Sequence, residues 1–280
     1  MHLSIVRRMA TDTRETLIVD RDGGIVTVTM NRPHRKNAAS ATMWAELLEV
    51  FREVDDSATD RVLVLTGADG DFCSGADVGG MDERANSGAV AADEPPKHQL
   101  VSMRNITDIC LTLNRLRQPT IAKVRGVAVG AGLNMALSCD LVVGDETSRY
   151  SEIFARRGLS LDFGGSFLLP RRVGLHKAKE LALFAEVIDA KEAEAIGLVN
   201  RIVPSSDLDA FVDEWAARLA AGPPIALAMT KRLLNNSMNV TLEEALDDEG
   251  LSQTVNFSTA DTAEAMRAFV EKRDPHFTGR

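Results

Sequence analysis

The sequence is poor in cysteine and carries no excess of basic charge, and both shortages exclude classes of protein. Its three cysteines, Cys73, Cys110 and Cys139, form no CxxC pair and leave one thiol over. Neither a disulfide framework nor a zinc site is predicted, and we expect the protein in the reducing cytoplasm. The formal net charge is −9, whereas general nucleic-acid binders neutralise phosphates with clustered basic residues. We therefore expect no nucleic-acid partner.

Long hydrophobic runs are absent as well. No stretch of about 18 residues is apolar and free of charge, as a membrane-spanning helix requires. The first fifteen residues contain Arg7, Arg8 and Arg14 but no apolar segment of the kind found in secretion signals. We expect neither a membrane span nor secretion. Since 45% of the 280 residues are hydrophobic, the chain can bury a sizeable core without disulfides or metals.

The sequence does contain an alternation of strand and helix patterns. Residues 16–20 and 25–30 are β-branched runs joined by Arg21-Asp22-Gly23-Gly24, which predicts a hairpin. Apolar residues then recur at helical spacing over 41–54, and the run 62–65 predicts a buried strand. This alternation favours an α/β core with helices packed on a sheet. It repeats downstream as a helix over 101–116, a strand over 121–124, a short helix after Gly130 and a strand over 141–143.

The pattern changes after Pro204, beyond which only helical periodicity is found. We therefore divide the chain into an N-terminal extension (1–15), an α/β core (16–204) and a helical appendage (205–280). Residues 86–96, rich in Ala, Gly, Pro and acid, predict a mobile surface loop. The four helices predicted in the appendage span residues 208–219, 225–234, 242–255 and 262–270.

Two glycine-rich segments follow predicted strands and could expose backbone N–H groups to a ligand. In residues 67–77, small side chains would let a ligand approach the N–H of Ala76, although a plain strand-to-helix loop explains the same composition. Residues 126–134 partly match a dinucleotide-binding loop, but Met135 replaces its third glycine. This second segment also fits a helix N-terminus that presents the N–H of Ala131 to negative charge, or close helix packing.

Asp162 is the candidate acid/base. It lies between Leu161 and Phe163, and a carboxylate is costly to bury in such apolar surroundings. Its pKa would then rise toward the range useful for proton transfer near neutral pH. The alternative is an N-cap, because Asp before Gly-Gly-Ser commonly begins a helix.

In order and spacing, these segments resemble the crotonase (enoyl-CoA hydratase/isomerase) family. The likeness runs from about residue 16 to about residue 277, and the combination is far more specific than any one motif. The matching motifs are Asn31-Arg32-Pro33 with Asn37-Ala38, Phe72-Cys73-Ser74-Gly75-Ala76-Asp77, Val124-Arg125-Gly126 through Gly130-Ala131-Gly132, and the ending Ala268-Phe269-Val270-Glu271-Lys272-Arg273.

The resemblance implies an α/β fold in which a spiral of ββα units precedes a helical trimerisation region, assembled as a homotrimer or a dimer of trimers. It implies an acyl-CoA substrate that brings coenzyme A with it, and no permanently bound cofactor or metal. The N–H groups of Ala76 and Ala131 match the pair that holds the thioester oxygen as it becomes an enolate. The residues that match the family's substrate contacts are Arg35, Lys36, Ser74, Asp77, Val78, Phe269 and Lys272.

The chain departs from the family's hydratases at both catalytic glutamates. The matching positions hold Asn134 and Phe154, which would line the acyl site with an amide and a phenyl ring instead of carboxylates that activate water. Efficient hydration is therefore not expected. Asp162, in contrast, matches the aspartate of isomerases of the phenylacetate-pathway type, of dienoyl-CoA isomerases and of 4-chlorobenzoyl-CoA dehalogenase. Glu152 would share a face with Phe154 in an extended segment, either as a substitute acid or as a solvated side chain.

One carboxylate and an oxyanion hole suffice for a proton shift between carbons 2 and 4 of an acyl thioester. The leading hypothesis is therefore an enoyl-CoA isomerase with Asp162 as acid/base. A dehalogenase would need Asp162 to attack an aryl ring held by several aromatic side chains, and only 5% of the chain is aromatic. Two alternatives remain, namely an enoyl-CoA hydratase and a non-catalytic acyl-CoA-binding protein.

Overall fold

Two sheets organise the fold. The computed structural model describes residues 10–77 and 99–280. The predicted loop at 86–96 and residues 1–9 of the predicted N-terminal extension lie outside the described residues. The strands are β1 (Ala10–Thr13), β2 (Leu17–Asp22), β3 (Ile25–Met30), β4 (Val62–Gly67), β5 (Thr120–Val124), β6 (Val127–Val129), β7 (Leu141–Asp145), β8 (Arg149–Ser151), β9 (Ile188–Asp189) and β10 (Arg201–Val203).

The large sheet has seven strands in the order β1-β2-β3-β4-β5-β7-β10, and β6, β8 and β9 form the small sheet. β1, β2 and β3 pair antiparallel, whereas the strands from β3 through β10 in this order are parallel to their neighbours. Parallel neighbours require a crossover connection, and helices are the usual means of making one. The predicted hairpin and the α/β class are both confirmed.

Helices make up most of the remaining described residues. The three short 3₁₀ turns are Pro33–Arg35, Ala68–Gly70 and Ile153–Arg157. The α-helices are α1 (Ala41–Asp56), α2 (Gln99–Arg115), α3 (Ala131–Ser138), α4 (Gly165–Phe184), α5 (Ala190–Ala195), α6 (Leu208–Ala220), α7 (Pro224–Asn236), α8 (Leu242–Phe257) and α9 (Ala260–Glu271).

The strand β4 is apolar because it lies in the interior of the large sheet. Its first five residues are buried because helices cover both faces of the sheet. On one face, Leu63 and Leu65 belong to the same core cluster as the buried residues of α1. On the other face, Val62 and Val64 pack with buried residues of α6. The predicted run 62–65 is confirmed as a strand of a buried parallel sheet.

The helices α6 to α9 confirm the four predicted after Pro204, with no strand between them. The first of them, α6, packs on the sheet through Leu208, Val212 and Ala216, so this helix shares the core. At the other end of the chain, residues 10–13 add the edge strand β1 to the sheet. The division of the chain at residues 15 and 204 remains a prediction. None of the helices that the structure describes is long and apolar enough to cross a membrane.

The parts of the fold that were not predicted include β1, the small sheet, the helices α4 and α5, and β10. The small sheet consists of strands of only two or three residues, which are too short to show a period-2 pattern. The helix α4 contains Pro170, and it is interrupted at Gly174, whose φ is 76°. Proline and a left-handed glycine both break the helical pattern that sequence reading relies on.

All three cysteines are buried side chains with free thiols. Burial raises the pKa of Cys73 and of Cys139 to about 12, because a thiolate would be desolvated there. Burial also raises the pKa of Cys110 above its ordinary value.

Candidate active site

The two glycine-rich segments lie side by side in the structure. The segment around Cys73 runs parallel to β6, and an isolated bridge pairs Cys73 with Ala128. The Cys73 N–H donates to the Val127 oxygen over 2.9 Å, and the Val129 N–H donates to the Cys73 oxygen over 3.0 Å. These bonds bring Ala76 and Ala131, which are 55 positions apart by their numbers, to the same part of the molecule.

Glycine is needed where the two segments meet. A Cβ on Gly132 would lie 2.9 Å from the Cys73 carbonyl carbon and closer still to its oxygen. Gly75 has a φ of 100°, and a Cβ there would lie 2.9 Å from the Val129 oxygen and 3.8 Å from the Ala131 nitrogen. Close packing explains these glycines, and it also places the turn before Ala76 against the start of α3. The alternatives of close packing and N–H presentation are therefore compatible.

The backbone N–H groups of Ala76 and Ala131 have no hydrogen-bond acceptor within residues 10–77 and 99–280. Ala131 is the first residue of α3, where the N–H has no acceptor inside the helix, and no side chain caps this end. Ala76 is held from both sides, because the Ala39 N–H donates to Gly75 and the Asp77 N–H donates to Ala39. Two rigid donors on adjoining segments are what an oxyanion site requires.

The Asp162 loop lies beside the first turn of α3. The side-chain amide of Asn134, one turn after Ala131, donates to the Asp162 carbonyl oxygen over 2.9 Å. Phe163 and Gly164 both have positive φ values, 45° and 79°, which turn the chain sharply before α4 begins. The N-cap of α4 is Gly164, with no side-chain cap. The alternative interpretation of Asp162 as an N-cap is therefore wrong.

The carboxyl group of Asp162 is free to act as a base. Its residue is half-buried, and its Oδ1 atom is buried without a hydrogen-bond partner in the described residues. Burial raises the pKa of Asp162 to about 6, because the charged form is desolvated. Such a carboxyl is ionised at neutral pH and still basic enough to take a proton from carbon when the product is stabilised.

Glu152 lies next to Asn134 and is the site residue that sequence reasoning placed least well. Its residue is only 1% exposed, so the interpretation of Glu152 as a solvated side chain is wrong. The Asn134 Nδ2 donates to Glu152 Oε2 over 3.3 Å. Burial raises the pKa of Glu152 to about 8, and the nearby charge of Asp162 adds to the shift. The signal in the sequence was an acid between Ser151 and Ile153, without a neighbouring charge.

Apolar side chains surround these polar groups. The Phe154 ring lies 3.6 Å from where a Cβ on Gly130 would be, next to the start of α3. The predicted position of Phe154 beside the site is therefore consistent with the structure, although Phe154 belongs to a 3₁₀ turn and not to an extended segment. Phe163 stacks on Trp44 of α1, with ring centroids 5.5 Å apart. This stack fixes the residue that follows Asp162.

Three of the predicted coenzyme A contacts, Arg35, Lys36 and Ser74, lie together in the structure. The Ser74 Oγ donates to the Arg35 oxygen over 3.2 Å, and the Ser74 N–H donates to the Lys36 oxygen over 3.0 Å. The side chains of Arg35 and Lys36 are exposed beside Ser74. Val78 lies outside the described residues.

Asp77 is committed to an ion pair that the sequence did not reveal. Arg32 Nη2 lies 2.8 Å from Asp77 Oδ2, and both side chains are less than 20% exposed. The second terminal nitrogen of Arg32 donates to the Ala38 oxygen. The pair thus ties the turn after β3 to the segment that carries Ala76.

We expect Arg32→Ala to lower the free energy of unfolding by about 2 kcal/mol, because Asp77 and the Ala38 oxygen would each lose a hydrogen bond from Arg32 in a half-buried setting. Lys36→Ala is the matched control. Lys36 is 63% exposed and 3.9 Å from Asp71, so its loss should change stability by less than about 0.5 kcal/mol. Urea unfolding of both variants measures this difference, and equal effects would contradict the assignment.

Phe269 and Lys272 lie at the C-terminal end of α9. Phe269 is 83% exposed, and Lys272 is the left-handed C-cap of the helix. In this single chain, Phe269 is therefore not packed against the Asp162 loop. Their predicted contact with substrate remains a prediction.

Comparisons with known proteins identify the family of this chain. The model of the enoyl-CoA hydratase/isomerase family matches residues 20–280. A Rhodobacter capsulatus protein named "Probable enoyl-CoA hydratase" is 36% identical over 258 residues, 92% of this chain and 95% of that protein. The 1,2-epoxyphenylacetyl-CoA isomerase of Escherichia coli is 33% identical over 266 residues, 95% of this chain and 99% of that protein.

A crystal structure of an enoyl-CoA hydratase/isomerase from Cupriavidus metallidurans superposes with a TM-score of 0.86 at 34% identity. The superposition covers 96% of this chain and 98% of that one. The predicted crotonase fold is confirmed by this likeness. Both the family model and the structural neighbour span nearly the whole sequence, so the chain belongs to the enoyl-CoA hydratase/isomerase family.

Proposed function

We propose that the protein is an enoyl-CoA isomerase that shifts a double bond through an enolate. The observation that carries this proposal is the Asp162 carboxyl, which is half-buried, has no cation beside it in the described residues and is held next to α3 by Asn134. A base in this setting can both remove and return a proton near neutral pH.

The proposed reaction uses one carboxyl for both proton transfers. Asp162 removes a proton from carbon 4 of a 2-enoyl thioester, and the C–H electron pair moves into a dienolate whose negative charge lies on the thioester oxygen. The N–H groups of Ala76 and Ala131 hold that oxygen, and each donor can contribute roughly 3 kcal/mol of transition-state stabilisation. The proton then returns from Asp162 to carbon 2, which leaves the double bond between carbons 3 and 4.

Hydration is supported less well by the residues around Ala131. The resemblance assigns the hydratase glutamates to the positions of Asn134 and Phe154, where neither side chain can activate water. Glu152 is the other carboxyl nearby, but it is 1% exposed and lies against the Asn134 amide. The hydratase name of the Rhodobacter relative nevertheless keeps hydration as the second candidate function.

Coenzyme A enters this proposal as part of the substrate. The exposed cations Arg35 and Lys36 beside Ser74 suit its phosphates, and Asp77 supports that surface through Arg32. For Val78, Phe269 and Lys272 we propose contacts on the resemblance alone. No permanently bound cofactor is proposed, because a proton shift through an enolate needs none.

We also propose that α7 to α9 form the contact of a homotrimer or a dimer of trimers. Large apolar side chains are exposed along these helices in the single chain, which is unfavourable unless another surface covers them. They include Leu234, Leu242, Phe257, Phe269 and Val270, each at least 67% exposed.

The proposal is tested by incubating 2-enoyl- and 3-enoyl-CoA thioesters with the protein in heavy water. Mass spectrometry then measures the masses of the products. Product isomers that contain deuterium without a gain of water are expected, because the proton on Asp162 exchanges with solvent before it returns. A gain of one water on a 2-enoyl-CoA would establish the hydratase instead. Tight binding without exchange would establish an acyl-CoA-binding protein.

A further inference from the structure

Glu152 occupies a site that disfavours a negative charge. Its residue is 1% exposed, and no lysine, arginine or histidine of the described residues forms an ion pair with it. Arg156 and Arg157 of the adjoining 3₁₀ turn are both exposed. The one group that donates to Glu152 in the described residues is the neutral Asn134 amide, 3.3 Å away. An ionised carboxylate here would be buried with one neutral donor and no positive charge to compensate it.

Hydrogen-bond counting leads to the same conclusion. Three buried oxygens of the cluster have no hydrogen-bond partner in the described residues, namely Glu152 Oε1, Asn134 Oδ1 and Asp162 Oδ1. All three are acceptors when both carboxyls are ionised, so the cluster then lacks donors. One proton on Glu152 converts an acceptor into a donor and reduces this deficit.

The contacts of Asn134 join Glu152 to the rest of the site. Its Nδ2 donates to Glu152 Oε2 and, over 2.9 Å, to the backbone oxygen of Asp162. Gly165 closes the cluster, because a Cβ there would lie 2.8 Å from the Asn134 Cγ. The Asn134 Nδ2 that holds the Asp162 loop is therefore the same atom that Glu152 Oε2 accepts from.

We propose that Glu152 is a positioning residue of this site, a carboxyl kept neutral by burial that orients Asn134 and leaves Asp162 as the single negative charge. This inference rests on the isomerase proposal and adds a second carboxyl to it. Glu152 acts through Asn134 and does not touch the substrate, because it is enclosed.

The titratable groups around the cluster determine how pH acts on it. Asp162 faces Glu152 across Asn134. Burial is the larger cause of the rise in the pKa of Glu152 to about 8, and the charge of Asp162 adds to it. The charge of Asp162 also raises the pKa of Cys110 of α2. Ser138, which shares a hydrogen bond with Cys110, is uncharged. Above the pKa of Glu152, a second negative charge would oppose the enolate that forms beside Ala131.

The first test is the pH dependence of kcat/KM in Glu152→Gln, whose neutral amide imitates the protonated acid. Wild-type kcat/KM should rise through pH 6 as Asp162 ionises and fall above pH 8 as Glu152 ionises. The variant should keep the rise and lose the fall, so the ratio of variant to wild type increases about tenfold between pH 7 and pH 9. Glu152→Ala removes the acceptor for Asn134 and should lower kcat by roughly tenfold to a hundredfold at every pH.

The matched control is Glu146→Gln, the same change at an exposed position in the turn before β8. Its pH profile should be that of the wild type. The inference is overturned if Glu152→Gln keeps the alkaline fall, or if Glu152→Ala behaves like Glu152→Gln.

A second test needs no isomerase activity, so it separates this inference from the proposed function. The folded protein holds the Glu152 proton up to about pH 8, whereas the unfolded chain releases it near 4.5. The unfolded state therefore binds fewer protons between these values, and wild-type stability falls as the pH rises through them. The urea midpoint of wild type should fall relative to that of Glu152→Gln between pH 5 and pH 8, and a constant difference would overturn the inference.

A third measurement uses the wild-type protein alone, in case the variants do not fold. Burial raises the pKa of Glu152 to about 8, far above the ordinary value for glutamate. Carbon-13 NMR of glutamate side-chain carboxyls should therefore show one resonance that titrates near pH 8. If every glutamate resonance has finished titrating by pH 6, Glu152 is ionised in the folded protein and the inference fails.

Discussion

Asp162→Asn should lower kcat by roughly 10²–10⁴-fold, the contribution expected of a general base, while the Kd of a saturated acyl-CoA stays close to that of the wild type. The amide keeps the shape of the side chain and cannot accept the proton. The backbone oxygen that Asn134 binds is unchanged by the substitution. Steady-state kinetics and calorimetric titration measure the two quantities.

Stability separates lost chemistry from lost folding in this variant. Burial raises the pKa of Asp162 from 3.8 to about 6. The unfolded chain therefore releases this proton at a lower pH than the folded protein, and the free energy of unfolding falls as the pH rises from 3.8 to 6. At pH 7 the ionised Asp162 consequently makes the folded protein less stable. Asp162→Asn should accordingly unfold at a urea concentration no lower than the wild type at pH 7.

Asp69→Asn provides the matched control for the same chemical change. Asp69 is exposed in the turn after β4 and has a φ of 52°, a conformation that asparagine adopts readily. Its kinetics should equal those of the wild type. If Asp162→Asn keeps more than about a tenth of wild-type kcat, the loss falls short of a general base's contribution and Asp162 is not the base.

Gly132→Ala should have the largest effect on stability and also impair turnover. The new Cβ would collide with the Cys73 carbonyl. Neither group can rotate away, because the Cβ is fixed to the helix backbone and the carbonyl is itself backbone. Overpacking of this kind costs about 3 kcal/mol. Because the same contact aligns α3 with the segment of Ala76, a shift of one donor should lower kcat by roughly 10²-fold.

Gly250→Ala is the control for this change. Gly250 lies inside α8, and a Cβ there would meet nothing within 4 Å. Alanine in an open helix position should raise stability by about 0.5–1 kcal/mol and leave kcat unchanged. The same added methyl group should therefore lower the free energy of unfolding in one variant and raise it in the other. If Gly132→Ala proves as stable as the wild type, the two segments are not in the contact described.

Sequence reasoning succeeded where a pattern is local. The hairpin of β2 and β3, the helix α1 and the buried strand β4 follow from side-chain periodicity, which needs no knowledge of distant residues. The capping of α1 is local too, since the Ser40 Oγ accepts from the Met43 N–H. The motifs around Ala76 and Ala131 also drew attention to two N–H groups that have no hydrogen-bond acceptor among the described residues.

It failed where the environment comes from distant segments. The buried Glu152 interacts with Asn134 of α3 and with the charge of Asp162, neither of which adjoins it in the chain. The partner of Arg32 is Asp77, 45 positions later. For Asp162, the local preference for capping was overruled because the positive φ of Phe163 and Gly164 moves the helix start two residues on.

The buried cysteines determine how the protein behaves toward thiol reagents. Thiolates are the reactive form, and burial keeps Cys73, Cys110 and Cys139 protonated and enclosed. A coloured thiol reagent should therefore react only slowly with the folded protein. The same three thiols become reactive when the chain unfolds, so the rate of their labelling reports how often the native core opens.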